Sequence, residues 1–303
     1  MRPGTAPDPT RPLAVVTGAN TGVGKETARE LARVGWTVMM VCRSEPRGRA
    51  ALDELAGELP GAHLHLMVCD LASLDQVRQL AARLDRLPRL DALVNNAGLF
   101  RRAQEATEDG FEVTMAVNHL GHFLLTLLLG NRIRSEGSRI VNVSSNAHRR
   151  ARMHRAPLLE IMRGTESYSG IVAYGDSKLA NILFTRELVR RWGNDGVLAF
   201  AVHPGVLATE IWDRNSGLIM RFFQWWKRFM DPPSVGGEAV SRLVLDPEVP
   251  APNGGYFDEL EPTRPSADAQ DDVLARTLWD ESRRASGLGP EADEAEPTGA
   301  KEP

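Results

Sequence analysis

The sequence has little cysteine and no long hydrophobic run, and each shortage excludes a class of protein. Its 303 residues include two cysteines, Cys42 and Cys69, too few for a disulfide framework or a thiolate metal cage. The longest apolar run, FLLTLLL at 123–129, is far shorter than the ~20 residues that span a bilayer. No signal-peptide pattern opens the chain. We therefore expect a cytoplasmic protein without a transmembrane segment.

An excess of positive charge is also missing. The chain has 36 basic and 40 acidic residues, a net charge of −4. Residues 291–303 hold five acids and one lysine and account for all of this charge. The rest of the chain is neutral, whereas a nucleic-acid binder normally has a clear basic excess. We expect no nucleic-acid partner.

The composition, 42% hydrophobic and 25% charged, is that of a globular protein with a sizeable core. Residues 1–11 are rich in proline, and residues 287–303 are acidic, punctuated by proline and glycine, and lack large apolar side chains. These compositions predict a disordered segment at each end of the domain. One domain over residues 12–286 is expected between them.

Within that domain, short β-branched runs alternate with helical periods, which is typical of a parallel sheet covered by helices. Strand-like runs occur at 13–17, 37–42, 63–69, 91–95, 139–144, 197–202 and 254–258. Helical segments lie near 22–34, 46–57, 73–86, 107–130, 174–192, 234–245 and 268–285. We predict an α/β fold of the doubly wound Rossmann type, with a mostly parallel seven-stranded sheet and helices on both faces. A ligand would bind at the carboxyl ends of the strands.

A glycine-rich turn follows the first predicted strand. Residues 17–25 read TGANTGVGK and lead into a helical period. Glycines let the backbone approach a pyrophosphate, and the start of a helix offers unpaired N–H groups. A P-loop is excluded because it requires glycine at Ala19 and serine or threonine at Glu26. The turn predicts a dinucleotide site, and a glycine-rich turn without a ligand is the alternative.

Tyr174 and Lys178 stand four residues apart in a helical segment, so their side chains emerge on one face. Lysine is scarce, with four against 32 arginines, and Lys178 is the only one placed four residues after a tyrosine. A nearby ammonium favours the phenolate and lowers the pKa of a tyrosine. The pair therefore predicts an acid–base group, and an exposed helical pair without a function is the alternative.

Further motifs occur in the order expected of one family. They are the T-G-x-x-x-G-x-G spacing from Thr17, VNHLGH around Asn118, the Ser144-Ser145 pair, and YGDSK from Tyr174. Together they resemble the short-chain dehydrogenase/reductase superfamily, and TEDGFE, VNHLGHFLLT and SKLANILFTREL resemble its retinol dehydrogenase-like branch. The resemblance implies an enzyme that interconverts an alcohol and a carbonyl with a nicotinamide cofactor. A catalytically silent sensor or scaffold that binds NADP(H) is the alternative.

The resemblance also implies a role for each catalytic candidate. Tyr174 would exchange a proton with the substrate oxygen, which Ser145 would orient. Lys178 would also hold the nicotinamide ribose, and Asn118 would hold a water that connects Lys178 to solvent. Strand alternation cannot choose between Ser144 and Ser145, and the family pattern favours the second. The cofactor-binding residues that the resemblance implies, besides Tyr174 and Lys178, are Gly18, Asn20, Thr21, Gly22, Val23, Gly24, Asp70, Leu71, Asn95, Ala97, Gly98, Pro204, Gly205 and Thr209.

Arg43 predicts which nicotinamide cofactor is used. NAD enzymes of this architecture usually carry an acid about 20 residues beyond the glycine loop, but this strand ends in Cys42-Arg43-Ser44. A guanidinium can bind a 2′-phosphate with two hydrogen bonds, whereas an acid would repel it. We predict a preference for NADP(H), and a surface arginine paired with Glu45 is the alternative.

Residues 208–232 form the most aromatic stretch, and we expect them to be a lid over a lipophilic substrate. A subunit contact or a helix on a membrane surface is the alternative.

The spacing between Ser145 and Tyr174 exceeds the shortest one in the superfamily that the chain resembles, so the resemblance implies an insertion at 146–171. It contains the cationic run HRRARMHR (148–155), which predicts a solvated loop or a site for an anionic group. Cys42 and Cys69 are expected in the core, and the spacing of His119 and His122 could begin a metal site, although we expect no metal. Family resemblance implies a homodimer or homotetramer.

Overall fold

The computed structural model describes residues 7–165, 167–205 and 232–289. Its sheet has the strand order β3-β2-β1-β4-β5-β6-β7-β8, parallel except for the last pair. The strands are β1 Leu13–Thr17, β2 Thr37–Cys42, β3 His63–Val68, β4 Ala92–Asn95, β5 Arg139–Val143, β6 Leu198–His203, β7 Tyr256–Asp258 and β8 Glu261–Pro262. The predicted fold class is confirmed.

The helices connect successive strands and cover both faces of the sheet. Their bounds are α1 Gly22–Arg33, α2 Glu45–Glu58, α3 Leu74–Leu84, α4 Val113–Met115, α5 Gly121–Leu128, α6 Gly130–Glu136, α7 Leu158–Arg163, α8 Gly170–Trp192, α9 Pro233–Leu245 and α10 Asp272–Ala285. A π-helical turn, Ala116–Leu120, joins α4 to α5. The 3₁₀ turns are Asn146–Arg150, Gly193–Asp195 and Asp268–Gln270.

The core lies on both faces of the sheet because the parallel strands are buried on both sides. Along β1, Leu13 and Val15 face the cluster shared with α3, α5, α8 and α10. Ala14 and Val16 face the cluster shared with α1, α2 and α9. Cys42 and Cys69 are buried in different clusters, so the prediction that they are core residues is confirmed. Burial raises the pKa of each thiol to about 12.

Several features differ from the sequence prediction, among them α7, which was not predicted. The sheet has eight strands instead of seven, because Glu261–Pro262 pairs antiparallel with β7. The helix predicted over 107–130 begins at Val113 and breaks at Leu129, whose ψ of 3° ends α5 before α6 begins. The helix predicted from Tyr174 begins at Gly170, so Tyr174 lies in its second turn. Most of the predicted lid (208–232), including Thr209, lies outside the described residues; of the lid, the structure describes Pro232.

Candidate active site

A cavity of about 940 Å³ lies across the carboxyl ends of the central strands. It lies where a doubly wound sheet binds its ligand. The predicted site residues that line it are Gly18, Asn20, Thr21, Gly22, Val23, Gly24, Arg43, Asp70, Leu71, Ala97, Gly98, Ser145, Tyr174, Lys178, Pro204 and Gly205. Asn95 and Asn118 do not line this cavity.

The glycine loop between β1 and α1 depends on its glycines. Gly18 and Gly22 have φ values of +67° and +56°, which residues other than glycine rarely adopt. A Cβ atom on Gly24 would lie 2.6 Å from the carbonyl oxygen of Gly18 and would also collide with Nδ2 of Asn96. Thr21 makes no side-chain cap on α1. The start of α1 therefore has N–H groups available for a phosphate.

Asn95 and Asn96 have different environments. Asn95 is buried, and its Nδ2 donates to Oδ1 of Asn142 at 2.8 Å and to Oγ1 of Thr126 at 3.1 Å. Asn96 lines the cavity, and its Nδ2 donates to the carbonyl oxygen of Thr17 at 2.7 Å. Thus the structure does not bring Asn95 to the cavity. β4 ends at Asn95, so the strand-end rule applied strictly would have selected Asn96.

Tyr174 and Ser145 face each other in the cavity. The ring of Phe100 packs edge-on against Tyr174 with centroids 6.0 Å apart. Burial raises the pKa of Tyr174 to about 12, and the neighbouring Ser145 hydroxyl lowers it only in part. The prediction of a lowered pKa is wrong for this structure because burial outweighs the stabilisation of the phenolate. Tyr174 is therefore a protonated phenol at neutral pH.

Lys178 lies one helical turn beyond Tyr174 and is 3% exposed. Its Nζ is 5.5 Å from the centroid of the Tyr174 ring and donates to the carbonyl oxygen of Val143 at 3.1 Å. Burial lowers the pKa of this ammonium group to about 8. A Cβ atom on Gly98 would lie 3.4 Å from Nζ and 3.5 Å from Oδ1 of Asn118. These are ordinary contact distances, so Gly98 lies next to both polar groups.

Asn118 lies in the π-helical turn and joins the loop after β4 to α8. Its Oδ1 accepts from the N–H of Leu99 at 2.8 Å, and its Nδ2 donates to the carbonyl oxygen of Leu99 at 3.0 Å. The same Nδ2 donates to Oγ of Ser177 at 2.9 Å. These bonds connect the π-helical turn to Leu99 and to Ser177, the residue before Lys178. That Asn118 holds a water connecting Lys178 to solvent remains a prediction.

The geometry distinguishes the two serines that follow β5. Ser144 is buried, and its Oγ donates to the carbonyl oxygen of Lys178 at 2.7 Å. Both serines line the cavity, but Ser145 is partly exposed and its hydroxyl lies beside Tyr174. Ser145 is therefore the serine that can reach a substrate oxygen beside Tyr174.

Arg43 lies at the other end of the cavity, at the carboxyl end of β2. It is exposed and, in the described part of the chain, forms no ion pair, so the alternative pairing with Glu45 is absent. Arg47 lines the same end. Asp70 is the only carboxylate among the described residues that line the cavity. An anionic group at this end would meet two arginines.

Comparisons with known proteins agree with this geometry. The family model for short chain dehydrogenase matches residues 12–157. Human retinol dehydrogenase 13 is 40% identical over 283 residues, which cover 90% of this chain and 84% of the human one. The chain belongs to the short-chain dehydrogenase/reductase family. It is an oxidoreductase similar to the retinol dehydrogenases, so the predicted resemblance is confirmed.

Solved structures of this family share the fold. An uncharacterized protein from Mycobacterium Paratuberculosis is 32% identical, with a TM-score of 0.72, and the alignment covers 93% of this chain and 96% of that one. A blue fluorescent protein from a metagenomic library, solved in complex with NADPH, is 26% identical with a TM-score of 0.63, covering 82% and 95%. These similarities support a nicotinamide cofactor.

Sequence reasoning missed several cavity residues of this short-chain dehydrogenase. Ile171 lies three residues before Tyr174 on the same helix face, and that spacing could have identified it. His203 is the last residue of β6 and lies 3.9 Å from Oδ1 of Asp258, so the strand-end rule could have identified it too. Phe100 follows predicted site residues in the chain, but no sequence pattern distinguishes it. Arg149 and Arg150 also line the cavity, and they belong to the cationic run for which a site for an anionic group was one of the two predictions.

The two histidines that could have begun a metal site are core residues. His119 bonds through Nε2 to Oγ of Ser282 at 2.9 Å, and burial lowers its pKa to about 3. His122 lies 2.8 Å from Oγ1 of Thr17 and has a pKa lowered to about 4 by burial. Across residues 7–165, 167–205 and 232–289, no three His, Cys, Asp or Glu side chains form a metal-binding group.

In the described ranges, no single helix is long and apolar enough to cross a bilayer. The bent pair Val113–Leu128 and Gly130–Glu136, with 64° between its parts, meets the limits only when the two helices are joined. Phe123, Leu124 and Leu125 of this pair are buried in the core of the protein.

Proposed function

We propose that this protein is an NADP(H)-dependent oxidoreductase that interconverts an alcohol and a carbonyl on a lipophilic substrate. The observation that carries the proposal is the meeting of Ser145, Tyr174 and Lys178 in the cavity that the glycine loop also lines. Relatives named retinol dehydrogenase 11, 12 and 13 support a lipophilic substrate of the retinol, steroid or polyketide kind. Phe100 and Ile171 add apolar surface beside Tyr174.

The residues at the catalytic end suit a proton donor. Because Tyr174 stays protonated at neutral pH, it can give its phenolic proton to a carbonyl oxygen during reduction. Ser145 would hold the same oxygen through a hydrogen bond, and the ammonium of Lys178 would stabilise the phenolate that remains. The chemistry that a nicotinamide would supply when bound here is hydride transfer with the carbonyl carbon.

The residues at the glycine-loop end fit the rest of the cofactor. The uncapped start of α1 and Gly18, Gly22 and Gly24 would hold the pyrophosphate. Asp70 and Leu71 would flank the adenine, and Ala97 and Gly98 the adenosine ribose. Pro204, Gly205 and Thr209 would hold the nicotinamide end, and Lys178 its ribose. Asn95 would contribute by supporting the β4 end from the core.

NADP(H) rather than NAD(H) is proposed because of Arg43. Its guanidinium is exposed at the cavity without an ion-pair partner in the described ranges, and Arg47 lies at the same end. A 2′-phosphate there would gain charge-assisted hydrogen bonds. Related structures were solved in complex with NADPH and with bound NADP.

The proposal extends to the domain organisation, cellular location and number of subunits of the protein. We assign residues 12–286 to one domain, with 208–232 as the substrate lid, and we place the protein in the cytoplasm as a homodimer or homotetramer. Light scattering would measure the number of subunits. Deletion of 287–303 should leave activity intact if this segment is outside the domain.

A substrate panel tests the proposed activity. Nicotinamide absorbance would be followed with NADPH, and separately with NADH, across aldehydes and ketones graded from short and polar to retinal-like. We expect turnover with NADPH that increases with apolar size. Better turnover of small polar carbonyls would contradict the lipophilic substrate. Saturable NADPH binding without turnover on any carbonyl would favour the silent sensor or scaffold.

A further inference from the structure

The cationic segment that follows Ser145 is tied into the active site by a buried histidine. His148 is 1% exposed, which excludes a fully solvated loop. Its Nδ1 lies 2.7 Å from the carbonyl oxygen of Ser145, and its Nε2 lies 3.1 Å from the backbone nitrogen of Ser266. A carbonyl oxygen only accepts and a backbone N–H only donates. His148 is therefore neutral, with its hydrogen on Nδ1, and both of its nitrogens are used.

The rest of this segment is tied to the catalytic helix. Asp176 is fully buried in α8, two residues after Tyr174. Its Oδ1 accepts from the backbone N–H of Arg152 at 2.7 Å, and its Oδ2 accepts from Nη1 of Arg155 at 2.7 Å. The segment thus joins the end of β5 to α8, and His148 is its contact with Ser145.

The Ser145 side chain depends on the backbone that His148 holds. Ser145 caps the 3₁₀ turn Asn146–Arg150, and its Oγ accepts from the N–H of Ala147 at 3.2 Å while it contacts Tyr174. The ring of His148 packs edge-on against Tyr256 with centroids 5.1 Å apart. A rotation of the Ser145 peptide would turn Oγ away from Tyr174. Two hydrogen bonds from His148 oppose it, one from the backbone N–H at 3.0 Å and the shorter one from Nδ1 at 2.7 Å, and a change of the side chain removes the shorter one.

We propose that His148 is a positioning residue, which holds the carbonyl of Ser145 so that the serine hydroxyl meets Tyr174 and the substrate oxygen. The inference rests on the proposed function, since it concerns the alignment of the same proton-transfer site. His148 touches neither the substrate nor the reacting atoms in this role. A misplacement of about 1 Å in such a site can cost up to roughly 100-fold in rate.

Two conservative variants separate the two bonds of His148. The amide nitrogen of asparagine can replace Nδ1, so His148→Asn keeps the bond to Ser145 and loses the bond to Ser266. In His148→Gln, the amide oxygen of the longer side chain can replace Nε2 as the acceptor. This variant therefore keeps the bond from Ser266 and loses the bond to Ser145. We expect kcat to stay within about threefold in His148→Asn and to fall roughly 10- to 100-fold in His148→Gln. The Kd of NADPH should change less than twofold in both.

A Ser145→Ala background supplies the double-mutant cycle. In that background His148→Gln should lower kcat no further, because the serine hydroxyl that His148 aligns is absent. Equal losses of kcat in His148→Asn and His148→Gln, or additive losses in the Ser145→Ala background, would overturn the inference. Such results would show that His148 only stabilises the fold, which urea unfolding of the same variants would also report.

A spectroscopic readout separates this inference from the proposed activity. The chain has three tyrosines, so ¹³C labelling at tyrosine Cζ gives three resonances, and Tyr174→Phe assigns one. The resonance of Tyr256 should move in every His148 variant because the rings are in contact. The resonance of Tyr174 should move in His148→Gln and stay in His148→Asn; the same shift in both would overturn the inference. Absence of turnover in the wild type would contradict only the proposed function, because this readout needs no substrate.

Discussion

The two ends of the cavity are built by different means. At the glycine-loop end, the shape comes from side chains that are missing, since a Cβ on Gly18 would lie 2.9 Å from the Cα of Ala97. At the catalytic end, the shape comes from buried polar side chains that line the cavity, with Lys178 at 3% and Ser144 at 2% exposure. The first end needs space for a phosphate, whereas the second needs polar groups whose protonation is shifted by burial. Substitutions should therefore act differently at the two ends.

The largest effect is expected at the catalytic end. Tyr174→Phe removes the only proposed proton donor and should lower kcat by about 10²- to 10⁴-fold. The Kd of NADPH, measured by quenching of protein fluorescence, should stay within about threefold because most of the cofactor contacts lie elsewhere. A loss of NADPH binding that matches the loss of kcat would remove the distinction between the two ends.

Lys178→Met should stabilise the protein while it abolishes activity. The pKa of Lys178 is lowered from 10.5 to about 8 by burial, so between these values the unfolded chain binds more protons than the folded one. Wild-type stability therefore rises with pH across this window. Methionine has no such dependence, and Val143 keeps a partner because Nδ2 of Asn181 also donates to its carbonyl oxygen at 3.0 Å.

Urea unfolding of both proteins without cofactor measures this difference. Below pH 8 the variant should be more stable by about 3 kcal/mol, on the scale of ~1.4 kcal/mol per unit of pKa. The difference should shrink as the pH rises towards 10.5. A variant that is less stable than the wild type at pH 7, or a difference that does not depend on pH, would contradict the account of a buried ammonium.

Arg43→Ala tests the charge at the glycine-loop end. It should weaken the binding of NADPH by roughly 10- to 100-fold, because a charge-assisted hydrogen bond is worth about 1.5 to 3 kcal/mol. The affinity for NADH should barely move. Arg49→Ala is a matched control, since Arg49 lies in α2 but does not line the cavity. Titration calorimetry measures both affinities, and equal weakening of NADPH and NADH would contradict a role in binding the 2′-phosphate.

Gly24→Ala tests the space at the same end and should have the smallest effect. The added methyl would meet the carbonyl oxygen of Gly18 at 2.6 Å and Asn96, and overpacking of this kind costs about 1 to 3 kcal/mol. Gly57→Ala is the control, because a Cβ there meets nothing within 4 Å. In an exposed helix it should stabilise by about 0.5 to 1 kcal/mol. Similar changes of thermal unfolding in both variants would contradict the close packing around Gly24.

Sequence reasoning recovered what local patterns determine. The strands have continuous apolar runs because both faces of the sheet are buried, and the glycine loop has a spacing that few other folds share. The eighth strand, Glu261–Pro262, was missed because two residues without alternation carry no strand pattern. The break at Leu129 was missed because the apolar run of 123–129 extends up to it without interruption.

The catalytic end was predicted less completely because burial depends on the whole fold. The sequence identified Tyr174 and Lys178, but the pKa of Tyr174 is raised, since the cost of burial depends on neighbours such as Phe100. Asn95 was favoured over Asn96 although its side chain bonds to Asn142 in the core. The contact of His148 with Ser266 joins residues 118 positions apart, which no local spacing predicts.

The central claim is that the two ends of the cavity work together, with NADPH held at one and a proton supplied by Tyr174 at the other. Transfer of deuterium tests it most directly. Enzyme with NADPH deuterated at the transferring C4 position would be given a retinal-like aldehyde, and the alcohol examined by mass spectrometry. The account predicts one deuterium on the former carbonyl carbon with the wild type and almost none with Tyr174→Phe in the same time. Labelled alcohol at equal rates from both proteins, or NADPH binding without labelled alcohol from either, would contradict it.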